Sequence, residues 1–196
     1  MWNYKTPGIP DEYFERAEKV PITKEEVRTI QLSKARLKPG QTVYDIGCGS
    51  GSISVEAAFQ IESSGKVLAI DYDENAVELT KKNLKKFNLS NVSVIFGNAK
   101  DKILDLEEAD VIFIGGTGGD TAEIVKLSEN KLKSSGRIVI GIILIETLYS
   151  VLQILDKLKF DSIDITQVTI SKSRKTTTGT MMLARNPVTI ISATKV

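Results

Sequence analysis

Three short segments carry side chains of the type and spacing that could bind a nucleotide. Val43-Tyr44-Asp45-Ile46-Gly47-Cys48-Gly49-Ser50-Gly51 runs an apolar stretch into glycines at alternate positions. Without Cβ atoms the main chain can turn sharply, and a ligand can lie directly against it. The spacing is G-x-G-x-G, with Ser52 where a dinucleotide fingerprint would place its third glycine. A plain strand-to-helix turn would use the same residues. The next apolar stretch ends in Ile70-Asp71, and a carboxylate there can accept hydrogen bonds from both hydroxyls of a ribose. Asp73, just before a helical pattern that opens at Glu74, reads as its N-cap. The third stretch ends in Gly97-Asn98-Ala99, where an adenine edge would sit or where the chain merely turns.

Other chemistry is excluded by what the chain lacks. It has no histidine, which removes Ser-His-Asp and Cys-His nucleophilic machinery and His-ligated metal sites. Its one cysteine, Cys48, permits no internal disulfide and no Cys-rich metal centre, so no metal site is expected and a reducing, cytoplasmic setting fits. Lys plus Arg number 26 against 25 Asp plus Glu, so no overall charge draws the chain to nucleic acid or membrane. The N-terminus has no apolar signal-like run, and the longest apolar stretch, Ile138 to Ile145, is far short of the roughly 20 residues that span a bilayer.

The elements that must position these residues follow from hydrophobic periodicity. Strands are predicted at Gln41–Ile46, Lys66–Asp71, Val92–Phe96, Ala109–Ile114 and Arg137–Ile145. Helices are predicted over Ser52–Ile61, Glu74–Phe87, Thr121–Leu132 and Thr147–Leu158. This alternation means a mostly parallel sheet with helices on both faces. Two last strand patterns, Ser162–Ile170 and Val188–Ala193, have no helix between them and should pair antiparallel, closing one sheet edge with a reversed strand. The expectation is a single domain, residues 1–196, with an N-terminal arm over 1–22. A helix over Lys24–Leu37 follows the arm, and Thr23 with Glu26 three positions on forms a capping-box pattern.

Glycine loop, ribose acid and adenine position, in that order, resemble the Rossmann-like class I S-adenosylmethionine-dependent methyltransferases, an α/β fold whose seven-stranded sheet is parallel but for one strand. No Asp/Asn-Pro-Pro-aromatic tetrapeptide for base-amine methylation is present, and no Pro-Cys for cytosine C-5. More specific are Gly8-Ile9-Pro10-Asp11-Glu12-Tyr13-Phe14, Pro21-Ile22-Thr23-Lys24-Glu25-Glu26-Val27-Arg28, Gly115-Gly116-Thr117-Gly118-Gly119 and Gly179-Thr180-Met181-Met182-Leu183-Ala184-Arg185-Asn186-Pro187-Val188. Together they resemble the decarboxylating C-15 methyltransferases of anaerobic cobalamin biosynthesis, over nearly the whole chain. The resemblance implies S-adenosylmethionine contacts at Thr23, Gly47, Cys48, Gly49, Ser50, Gly51, Asp71 and Ala99, a cobalt-corrinoid substrate, and a homotetramer. Many relatives have Asp where this chain has Asn98, whose carbonyl can still accept from an adenine amino group.

Such a substrate carries many carboxylates and calls for fixed cations. Lys172, Arg174, Lys175 and Arg185 lie in a segment free of Asp and Glu, and Arg174 and Arg185 are the candidate substrate contacts. A solvated basic loop is the alternative. No catalytic residue is assigned; Glu146 is a weak candidate against an exposed role. Pro187–Ala193 and the arm are candidate interface segments. Two rival functions keep the same fold: an RNA methyltransferase using the basic segment on phosphates, and a non-catalytic S-adenosylmethionine-binding subunit.

Overall fold

The central strands are buried almost throughout, so both faces of the sheet are covered by helices. The computed structural model describes residues 2–196. In chain order it runs α1 (Glu25–Ala35), β1 (Thr42–Ile46), α2 (Ser52–Ile61), β2 (Lys66–Asp71), α3 (Glu74–Lys86), β3 (Val92–Phe96), α4 (Ala99–Lys102), β4 (Ala109–Ile114), α5 (Thr121–Lys131), β5 (Leu132–Ile142) and α6 (Ile145–Leu155). It ends in four strands, β6 (Phe160–Val168), β7 (Ser171–Lys175), β8 (Thr180–Ala184) and β9 (Val188–Lys195). Successive strand side chains point to opposite faces. Val43, Val67, Val111, Phe113 and Val139 therefore pack with α1 and α2 through Val27, Leu32, Ala57 and Ile61. Their neighbours Tyr44, Ile70, Ile112, Ile138 and Ile140 pack with α5 and α6 through Ile124, Val125, Val151 and Leu155.

The main sheet has seven strands in the order β3-β2-β1-β4-β5-β9-β6. β9 pairs antiparallel with both β5 and β6, so it alone is reversed. The expected reversed strand is present, but it is inserted one place in from the edge. Its flanking strands bury Ile190, Ile191, Ser192 and Ala193. Residues 188–193 are thus interior to the sheet and are not an interface segment. β7 and β8 form a separate antiparallel hairpin, which the strand patterns did not reveal.

Chain direction decides where a site can form. From β1 the chain moves outward to β2 and β3, then returns to place β4 on the other side of β1. A crevice opens at such a reversal, outside the carboxyl ends of the strands. The loops after β1 and β4 meet there, with the Gly115 N–H donating to the Ile46 carbonyl at 2.8 Å.

Candidate active site

The glycine loop after β1 is held from three sides. Gly47 and Cys48 N–H groups donate to the Ile70 carbonyl at 2.9 and 3.2 Å, and Ser50 N–H donates to the Pro21 carbonyl of the arm at 3.1 Å. Gly47, Gly49 and Gly51 have φ of 72°, 55° and 73°, a region that favours glycine. A Cβ at Gly47 would stand 2.5 Å from the Gly116 carbonyl oxygen, one at Gly49 2.7 Å from the Pro21 carbonyl oxygen, and one at Gly51 2.7 Å from Thr80 Cγ2. Protein contacts thus already demand all three glycines. Asn83 braces the loop from α3: its Nδ2 donates to the Ser50 carbonyl at 2.8 Å, and its Oδ1 accepts from Glu15 N–H at 2.7 Å.

Asp71 closes the loop onto β2. Its Oδ2 accepts from Gly49 N–H at 2.9 Å and its Oδ1 from Asp73 N–H at 3.0 Å. Each carboxylate oxygen has a further lone pair, so two ribose hydroxyls can still be accepted. Asp73 caps α3, as expected, accepting from Asn75 N–H at 2.9 Å. A cleft of about 290 Å³ opens beside Asp71, lined also by Gly47, Tyr72, Asn98, Ala99, Gly116 and Thr117. Of the residues read from sequence, Gly47, Asp71 and Ala99 line it. Thr23, Cys48, Gly49, Ser50 and Gly51 do not. Cys48 is buried against Thr80, and burial pushes its thiol well above the ordinary range, which suits a packing role rather than a nucleophile. Asn98 lines the cleft, and its Oδ1 accepts from Lys100 N–H at 2.9 Å and caps α4, leaving one lone pair for a further donor.

Three features in or around the cleft were given no role there by the sequence reading. Tyr72 and the Gly116–Gly118 segment form one wall. Lys100 bridges α4 to α5 through Asp120 at 2.9 Å and Glu123 at 3.4 Å, and those hydrogen bonds raise its pKa. Asp45, fully buried behind the glycine loop, accepts from Ser54 Oγ. Burial pushes its carboxyl up to about 6 against the Ser54 hydrogen bonds, with Asp71 adding a repulsive charge. A carboxylate amid Val43, Tyr44 and Ile46 was the available signal.

The arm is docked by a buried ion pair. Arg28, with no exposed surface, donates from Nε to Glu56 Oε1 at 2.5 Å, and its other nitrogens reach the carbonyls of Thr23 and Ile9. Glu56 also accepts from Gly8 and Ile9 N–H at 2.7 and 3.0 Å. The expected capping box is not formed, because Lys24 occupies the N-cap of α1 without a side-chain bond. Asp11 takes over that role from the arm: its Oδ1 accepts from Glu25 N–H at 3.1 Å while Glu25 Oε2 accepts from Asp11 N–H at 3.4 Å. The same reciprocal geometry satisfies two donors, across fourteen residues of chain.

The basic segment lies elsewhere. Lys172 Nζ pairs with Glu26 at 2.6 Å and Glu25 at 3.0 Å, and Arg185 Nη1 approaches Glu26 at 3.6 Å. These cations hold the hairpin to the start of α1; burial works against ionisation of Glu26, but Lys172 and Arg185 hold its pKa below the ordinary value. Arg174 and Lys175 are exposed on β7, and neither candidate arginine lines the cleft. Glu146 is exposed in the first turn of α6.

A seven-stranded sheet with one reversed strand, a glycine loop after β1 and an acid closing β2 define a Rossmann-like methyltransferase. The chain belongs to the precorrin methyltransferase family, whose profile, described as "Precorrin methyltransferase domain", matches residues 12–195. It is 47% identical over 196 residues to the probable cobalt-precorrin-6B C(15)-methyltransferase (decarboxylating) of Saccharolobus solfataricus, covering 99% of this chain and 98% of that protein. Its fold matches the crystal structure of a precorrin-6y C5,15-methyltransferase from Geobacter metallireducens with TM-score 0.90 and 35% identity, covering 98% of this chain and all of the other. The X-ray structure of a precorrin 8W decarboxylase from Methanobacterium thermoautotrophicum matches with TM-score 0.88 and 35% identity, over 96% of this chain and all of that one.

Proposed function

We propose that this protein methylates C-15 of cobalt-precorrin-6B with S-adenosylmethionine and releases an acetate carboxyl as carbon dioxide, giving cobalt-precorrin-7. The observation that carries the reading is the end-to-end likeness to the Saccharolobus protein, arm and hairpin included. Asp71 would accept from the ribose hydroxyls, with Gly47 and Ala99 lining the rest of the cofactor site. The remaining loop residues would act on the cofactor through the shape of the loop, which Pro21 of the arm braces two residues before Thr23. S-adenosylmethionine supplies an electrophilic methyl group on a sulfonium. The chain's part is to hold the two reactants in line and exclude water.

The chemistry suits a chain without histidine. Methylation draws an electron pair from the conjugated ring. Breaking the carbon–carboxyl bond returns one, so carbon dioxide leaves and no net proton is exchanged. The ring serves as its own electron sink; the proton taken up where carbon dioxide leaves balances the one the ring gives up on methylation, and no acid or base of this chain is assigned to that transfer. Arg174, without an ionic partner among the described residues, is a candidate contact for the substrate's outer carboxylates. A homotetramer in the cytoplasm completes the proposal. Ile163 and Ile165 on β6, with Met181, Met182 and Leu183 on the hairpin, are exposed apolar residues available to pair subunits.

The test supplies donor with a labelled methyl and cobalt-precorrin-6B with a labelled acetate carboxyl, and weighs the product. A gain of methyl with loss of the labelled carboxyl is expected. Methylation with the carboxyl retained would reduce the protein to a simple methyltransferase, and turnover of RNA alone would refute the proposal.

A further inference from the structure

Every glycine in a binding loop needs a reason. Where φ is strongly positive, or where a Cβ would strike neighbouring atoms, the protein itself supplies it. Among the described residues neither reason applies to Gly116 or Gly179: their φ values lie outside the left-handed region and a Cβ on either would meet nothing within 4 Å. Gly179 sits in the exposed turn between β7 and β8. Gly116 lines the cleft.

Its surroundings sharpen the contrast. Gly115, one residue earlier, is crowded by the Gly47 carbonyl at 3.0 Å, and Gly118 and Gly119 have φ of 62° and 105°. The Gly116 carbonyl turns back onto Gly47 while the bare Cα faces open space. A Cβ there would touch no protein atom, at a position that lines the cleft. One strand over, β5 leaves the same end of the sheet, since Ile114 pairs with Ile140. Beyond it Ile143, Leu144 and Ile145 stand 68%, 59% and 80% exposed in succession. A bare backbone step beside an apolar ledge suits a flat conjugated ring better than a hydrated, charged chain.

We propose that Gly116 is a specificity-determining position, its missing side chain leaving the space through which the ring edge of the methyl acceptor reaches the donor. This deepens the function proposed above and rests on it. The ring would lie against the Gly116 main chain with its face toward Ile143–Ile145.

The test is the series Gly116→Ala and Gly116→Val, read in three ways. The thermal midpoint of the alanine variant should hold, because its Cβ strikes no protein atom. Calorimetric affinity for S-adenosylmethionine should stay within about twofold of wild type. The kcat/KM for the corrinoid should fall about tenfold or more with alanine and further with valine, as overpacking a filled site demands. Unchanged turnover in both variants overturns the inference and leaves the proposed function standing. A parallel loss of S-adenosylmethionine affinity also overturns it, by giving the space to the cofactor. A lowered thermal midpoint in the alanine variant overturns it too, by showing that the protein uses that space. If wild type turns over no corrinoid, the functional proposal fails and takes this inference with it.

Discussion

Replacing Asp71 separates its two duties, staple of the glycine loop and acceptor for a ribose. Asp71→Ala leaves the Gly49 N–H, bonded at 2.9 Å in a buried setting, without a partner. A buried donor so stranded costs about 1–3 kcal/mol. The Asp73 N–H, at 3.0 Å, is part-buried and can turn to water, so it adds little. At a middle value of about 2 kcal/mol, the thermal midpoint of a 196-residue domain should drop by roughly 4–8 °C. Asp71→Asn keeps one carbonyl oxygen, and with it the Gly49 bond, so it should lose less than half of that. Donor binding should respond differently. Loss of charge-assisted bonds to ribose is worth about 1.5–3 kcal/mol, which is roughly tenfold to a hundredfold in Kd. Both variants should show it, since the amide supplies one acceptor where the carboxylate supplied two charged ones. Calorimetric titration with S-adenosylmethionine, beside differential scanning calorimetry, measures the two effects in one preparation. A lowered midpoint with unchanged Kd would make Asp71 a structural staple only and refute the ribose assignment.

Three other outcomes follow from the geometry. Asp45 has a folded pKa raised from 3.8 to about 6, so its contribution to stability is full below 3.8 and is lost as pH rises through about 6. That rise corresponds to on the order of 3 kcal/mol. Asp45→Asn, which keeps an acceptor for Ser54, should flatten the denaturation free energy across this window; an unaltered pH profile would contradict the buried, proton-holding carboxyl. Arg28→Met strands the Glu56 carboxylate and should cost about 3–5 kcal/mol, and adding Glu56→Leu should recover only part of it, because the Gly8 and Ile9 N–H groups then lose their acceptor. Urea unfolding decides, and an Arg28→Met variant as stable as wild type would show that the arm is not held by this pair. Thr23→Ala should cost well under the ~1 kcal/mol of a true N-cap, because no side-chain cap bond is made at Thr23. A full capping penalty in the thermal midpoint would restore the capping box, while loss of donor affinity alone would mark a cofactor contact.

Periodicity in the sequence was enough to place the strands that matter. β2, β3, β4 and α2 have the predicted bounds, and β1 differs by one residue. Alternation and the 3.6-residue pattern are local properties, written by which residues must leave water within one element. The loop after β1, the acid closing β2 and the turn after β3 therefore came with the elements that carry them, and with them the side of the sheet on which a cleft could open.

Whatever depends on distance through space was decided by the tertiary structure alone. The insertion of β9 between β5 and β6 is one such case, since a reversed strand has the same alternation at an edge as inside. Lys172 and Arg185 read as free cations because their partners, Glu25 and Glu26, lie far away along the chain. Arg28 and Glu56 lie 28 residues apart in the chain, yet the fold pairs them and the arm covers them. The reasons for the glycines were also hidden: Pro21, Gly116 and Thr80 are remote in sequence but crowd Gly49, Gly47 and Gly51. Apolar burial acts on any partner that excludes water and so leaves a trace in local pattern. Ion pairs, caps and backbone contacts act only on the particular atoms that meet, and the fold chooses those.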